Sequence, residues 1–146
     1  MTLWTPTPTA PLSVLKGRIV SLLRLRQLWL VLALVWAGIV LFYSLQPSVE
    51  LPGLFRLVQD LVLHFGAYAG VSFLLMLYSR SSAGPVKVSV LSFGYGLGVE
   101  ILQPIVAEGR VFSWYDVLAN SLGIASGIVL ALFIRKRIFN PKHDVV

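Results

Sequence analysis

Residues 117–134 read VLANSLGIASGIVLALFI, eighteen residues without a charge. At a rise of about 1.5 Å per residue, a helix of that length covers most of a ~30 Å hydrocarbon core. Working outward, the same reading applies three more times. Residues 28–45, LWLVLALVWAGIVLFYSL, carry no charge; 61–79 are interrupted only by His64, tyrosines aside; 88–106 only by Glu100. Hydrophobic residues make up 57% of the 146-residue chain, charged residues 12%, and mean hydropathy is +0.83. Four such runs leave too little polar surface to cover a water-soluble core. The expected fold is an all-α membrane protein, a bundle of four transmembrane helices with spans near 28–45, 61–79, 88–106 and 117–134.

Residues 1–27 read as a basic cytoplasmic lead, 28–134 as the membrane domain, and 135–146 as a basic cytoplasmic tail. The opening MTLWTPTPTAP is too rich in proline for regular structure and lacks the pattern of a signal peptide. Leu15, Ile19, Leu22 and Leu23 fall at helical spacing among Lys16, Arg18, Arg24 and Arg26, as in a juxtamembrane helix or an early turn of the first span. Lys and Arg set orientation. Ten of the twelve fall in the N-terminal segment, the loop between spans two and three (Arg80, Lys87) and the C-terminal tail. Only Arg56 and Arg110 fall on the other side. Both termini are therefore expected to be cytoplasmic. The net charge of +6 is accounted for by a positive-inside membrane face, and no nucleic acid is expected. The chain has no Cys, which excludes thiol catalysis, disulfides and cysteine-bound metals.

Gly66 with Gly70, Gly94 with Gly98, and Gly123 with Gly127 place small residues four apart in spans two, three and four. Such pairs let helix backbones approach closely in lipid. They predict a tight three-helix core with a peripheral first span, whose Trp29, Trp36, Phe42 and Tyr43 face lipid. The alternative is that glycine is simply common in membrane helices.

The polar residues of the spans collect at one depth. Asp60, His64 and Tyr68 follow one another at i+4 down span two; Glu100 and Gln103 lie near the outer end of span three, where Pro104 is expected to end or bend the helix. Asp116 and Asn120 repeat the i+4 spacing in span four, and the outer loop adds Arg110 and Ser113. A carboxylate inside a span costs about 2.5–3.5 kcal/mol on insertion scales, so it is paired or functional. His64, Glu100 and Asp116 are the candidate catalytic residues. Asp60, Tyr68, Gln103, Arg110, Ser113 and Asn120 are the candidate ligand-binding residues. Plainer readings stand beside these: Asp116 as a helix cap, Glu100 paired with Arg110, and the whole set as polar glue between helices. Asp60, His64, Glu100 and Asp116 also compose a one-histidine, three-carboxylate set suited to Mg²⁺ or Mn²⁺, although no metal or cofactor is assigned. His143 is expected on the opposite face from His64, so a two-histidine site within one chain is excluded. Ser113 is the best-placed hydroxyl nucleophile, with no mark of activation.

Three pieces of this sequence resemble the VanZ-like family of small bacterial membrane proteins. They are QDLVLHFGAYAGVSFLL (59–75), GLGVEILQPIV (96–106) and GRVFSWYDVLANSLGIASG (109–127), within the segment 59–133, which is about half the chain. Many members have Asp-Lys where this chain has Asp60-Leu61. The resemblance implies a multi-pass protein of the bacterial cytoplasmic membrane, in a family named for a link to teicoplanin resistance. The expected function is binding or handling of an envelope lipid or lipid-linked glycan precursor at an outer-leaflet polar pocket, with an effect on glycopeptide susceptibility. Catalysis on such a precursor and a structural role without chemistry stay open, as do a homo-oligomer and a partner in envelope synthesis. Transport ranks lower, because tyrosines aside no ionisable side chain lies in the inner half of a span to continue a relay.

Overall fold

The computed structural model describes the backbone of residues 12–47 and 53–139, and the side chains of 25–47 and 58–136. The proline-rich lead, Lys142 and His143 lie outside the described residues, as do the side chains of Lys16, Arg18, Arg24, Arg56 and Arg137. The described chain is four helices: α1 (Leu12–Ser44), α2 (Gly53–Tyr78), α3 (Gly84–Val106) and α4 (Trp114–Phe139). Each contains a stretch long and apolar enough to cross a membrane: Leu25–Ser44, Val58–Tyr78, Gly84–Val106 and Trp114–Lys136. Large apolar side chains such as Leu34, Val62, Val90, Ile105 and Val129 are exposed on the outside of the bundle. In a bilayer this is the surface that meets lipid tails, which removes the cost that water would impose.

Cross-helix contacts give the order of the bundle. Arg26 of α1 lies over the Tyr78 ring of α2, 4.5 Å from its centroid, while Trp36 reaches Ala67, so α1 and α2 are antiparallel. Tyr95 meets Ala37 and Gln103 meets Ser44, so α3 runs with α1. Arg135 at the end of α4 donates from its guanidinium to the Ser79 carbonyl (2.8 Å), at the end of α2. That bond satisfies a carbonyl left free by the last turn of α2, and it puts a cation at the negative end of the helix. Arg26 and Arg135 thus sit at one end of the bundle, and Asp60, Glu100 and Asp116 at the other.

Glycine sets the closest approach, between α2 and α4. A Cβ on Gly123 would strike the Phe65 carbonyl oxygen, and one on Gly127 the Ala69 carbonyl oxygen. The expectation of three tight glycine pairs is corrected here. Gly66, Gly94 and Gly98 have open space where a Cβ would go. Gly70 accommodates Trp36 of α1, and Gly96 accommodates the Tyr68 ring. The first span is the least buried of the four, as expected, but the expectation that Trp36 faces lipid is corrected by the same contact. Trp36 donates from Nε1 to the Ala67 carbonyl (2.9 Å) and Tyr95 donates to the Ala37 carbonyl (2.6 Å). Ala33 and Val40 are buried on that face of α1. Phe42 and Tyr43 remain exposed, as expected. Below the polar end the core is Tyr68, Val71, Met76, Val88, Ile124, Ile128 and Ala131.

Two helix boundaries matter for the site. α2 begins well before Asp60, so Asp60 is an interior residue and not a cap. Pro104 neither ends nor shortens α3 by itself; the helix runs two residues further, to Val106. Gly109 then takes a positive φ of 73°, a conformation that favours glycine, and turns the chain back toward α4.

Candidate functional site

The site is built at the end of the bundle where α2 starts inward, α3 ends and α4 begins. His64 faces α4 because Gly123 lets the two backbones meet one residue away, at Phe65. Its Nδ1 is 3.1 Å from Asn120 Oδ1, and its Nε2 is 3.7 Å from Asp116 Oδ2. An amide oxygen only accepts, so the Nδ1 atom carries a proton in this contact. The i+4 spacing of Asp116 and Asn120 on α4 is what lets one imidazole meet both.

Ser113 joins α3 to α4. Its backbone N–H donates to Glu100 Oε1 (2.8 Å), and its Oγ accepts from the Asp116 N–H (3.3 Å). The second bond is an N-cap, since Ser113 immediately precedes Trp114, the first residue of α4. Ser113 therefore holds the capping position considered for Asp116, which sits in the first helical turn where a carboxylate favours the helix dipole.

Glu100 is fully buried. One ligating atom from each of His64, Glu100 and Asp116 lies within 4.8 Å of the others. Asp60 is outside this group. It faces Arg110 instead, at 3.5 Å, and that corrects both the four-ligand set and the expected Glu100–Arg110 pair. The turn at Gly109 brings Arg110 over α2, where Asp60 sits one helical turn above His64.

Tyr68 is buried beneath His64, with its ring centroid 5.9 Å from that of Tyr95. Gln103 turns toward α1 and donates from Nε2 to the Ser44 carbonyl (3.1 Å). Beside the cluster lies a cavity of about 420 Å³ between α1 and α2. Asp60, His64, Gln103 and Arg110 line its polar end, and Ile39, Val40, Leu63 and Ala67 its apolar walls. All nine expected site residues lie at this end of the bundle. The α1 wall was not anticipated. The signal was present in Trp36, Val40 and Tyr43, large or apolar residues at helical spacing on one face.

Phe112, Trp114 and Tyr115 form an exposed aromatic collar around the start of α4, with Phe112 edge-on to Trp114 at 5.0 Å. Amphipathic rings of this kind favour the membrane–water interface. The cluster lies at the same end of the bundle as this collar.

A comparison with curated proteins finds no match, and a comparison with solved structures finds none either. The family model described as VanZ/LLP1 matches residues 29–135, which takes in most of the first membrane stretch, the second and third whole, all but the last residue of the fourth, and every residue of the site. A four-helix multi-pass membrane protein with this match over most of its length belongs to the VanZ/LLP1 family.

Proposed function

We propose that the protein binds an envelope lipid, or a lipid-linked glycan precursor, from the outer leaflet of the bacterial cytoplasmic membrane. The observation that carries this reading is the shape and lining of the cavity between α1 and α2. It is apolar along Ile39, Val40, Leu63 and Ala67 and polar where Asp60, His64, Gln103 and Arg110 meet. An amphiphile has the same division. Its chain would lie against the helices, and its headgroup would sit near Arg110. A guanidinium donates two parallel hydrogen bonds to a phosphate, and Asp60 holds this one in place. The distribution of Lys and Arg supports a cavity on the outer face, with both termini in the cytoplasm. If the ligand is a wall precursor, altered glycopeptide susceptibility follows from its sequestration.

One observation favours catalysis on the same ligand. His64, Glu100 and Asp116 are buried together beside the polar end of the cavity, a grouping of residue types suited to acid–base work on a bound headgroup. In that reading the headgroup at Arg110 is the substrate, and His64 is the acid–base group.

Native mass spectrometry of the protein released from detergent tests the binding reading. Wild type is expected to retain a phosphate-bearing amphiphile, and Arg110→Ala is expected to lose it. Equal retention of the same lipids by both would remove the headgroup site.

A further inference from the structure

His64, Glu100 and Asp116 are each more than nine-tenths buried, with 7%, 0% and 7% of their surfaces exposed. They come from three different helices and converge within 4.8 Å. Arg110 makes its ion-pair contact with Asp60, at 3.5 Å, and not with Glu100 or Asp116. Two ionised carboxylates in so dry a place repel each other strongly.

Two further observations point to what stands between them. Glu100 Oε1 accepts the Ser113 N–H, but Glu100 Oε2 is buried with no hydrogen-bond partner among the described residues. A buried carboxylate oxygen left without a partner forfeits the hydrogen bonds it would make in water. The second observation is the imidazole. Asn120 Oδ1 holds the proton on Nδ1, so in neutral His64 a bare Nε2 lone pair faces Asp116 Oδ2 at 3.7 Å. That separation is too long for a hydrogen bond and near that of two ligands on one ion. An outer-shell oxygen on the second ring nitrogen is the usual support of a metal-binding histidine.

We propose that His64 Nε2, Glu100 Oε2 and an Asp116 carboxylate oxygen bind one divalent transition-metal ion, Mn²⁺ or Zn²⁺. One imidazole with two carboxylates suits these ions, because nitrogen draws borderline metals and carboxylate draws harder ones. The ion's two charges balance the two carboxylates. Ligand atoms about 2.1 Å from a shared ion stand about 3–4 Å apart, so binding draws the cluster together by no more than about 2 Å. The ion would clamp α2, α3 and α4 at their outer ends. Its remaining positions would open toward the His64 end of the cavity. This inference does not depend on which amphiphile occupies the cavity.

The test uses the full chain in detergent micelles, stripped with chelator, loaded with Mn²⁺ and dialysed. Elemental analysis is expected to find about one ion per chain. Pulsed electron paramagnetic resonance is expected to find an imidazole nitrogen coupled to the Mn²⁺. His64→Gln and Glu100→Gln are expected to lose the ion while retaining helical circular dichroism. Asn120→Ala, one step removed, is expected to weaken binding by about 10–100-fold. Arg110→Ala is expected to keep the ion, which separates this site from headgroup binding. Wild type with no retained Mn²⁺ and no retained Zn²⁺ would overturn the proposal. So would full retention in Glu100→Gln. If the variants fail to fold, the nitrogen coupling in wild type decides: its absence from retained Mn²⁺ overturns the site.

Discussion

His64 on α2 and Asn120 on α4 meet at 3.1 Å, one residue and one turn away from the place where Gly123 packs against the Phe65 carbonyl. The polar contact and the close backbone approach are parts of one arrangement. Without a glycine at 123 the helices would separate, and the imidazole would lose its amide partner. Packing in the membrane thereby fixes the orientation of a ring at the site. The expected consequence is a single tautomer. Nitrogen-15 spectra of histidine-labelled protein should place the His64 proton on Nδ1 in wild type. Asn120→Leu should release that preference. A wild-type His64 protonated only on Nε2 would contradict the assignment.

The glycines separate into those that carry packing and those that do not. Gly127→Ala drives a methyl group into the Ala69 carbonyl and Ser72 Oγ, and should cost about 1–3 kcal/mol. Gly94→Ala meets open space and should stay within about 0.5 kcal/mol of wild type. Thermal unfolding in one detergent compares the two directly. Equal losses would mean that the α2–α4 contact is not the tight seam of the bundle.

Ser113 has two jobs that a single substitution divides. Ser113→Ala removes the Oγ that caps α4 and should lower stability by about 1 kcal/mol. It keeps the backbone N–H that holds Glu100. If Ser113 is only a cap, activity in cells at matched abundance should be unchanged. Complete loss of activity with normal abundance would instead give its hydroxyl a chemical role.

The α1 wall of the cavity makes a prediction about access. Ile39 lines the cavity and is partly exposed at its side, so Ile39→Trp should fill the apolar part without disturbing the cluster. Native mass spectra should then lose the retained amphiphile while the unfolding temperature holds within a few degrees. Retention equal to wild type would place the bound chain elsewhere.

Much of this was legible in the sequence because the membrane makes the rules strict. Uncharged runs of eighteen or so residues have few folds open to them, and alternation of direction then puts Asp60, Glu100 and Asp116 at one end. Depth follows from counting residues; azimuth does not. Which carboxylate faces Arg110 depends on helix rotation and on the turn at Gly109, and so Asp60 was exchanged for Glu100 in the expected pair. The glycine pairs show the same limit. Spacing marks a face, but only the partner helix decides whether Gly123 or Gly94 meets a backbone. Trp36 reads as a lipid anchor because indole is common there, although its N–H is spent on the Ala67 carbonyl.

The central claim is that the polar end of the bundle, where the cavity meets the buried carboxylates, handles an envelope amphiphile. The most direct measurement compares a deletion strain complemented with wild type against one complemented with Glu100→Gln at matched abundance. Lipid-linked envelope precursors are quantified in both by mass spectrometry. The account predicts that one precursor accumulates or disappears in the deletion, and that Glu100→Gln reproduces the change. Pools restored by Glu100→Gln as fully as by wild type would contradict it, and the cluster would then be only what holds α2, α3 and α4 together.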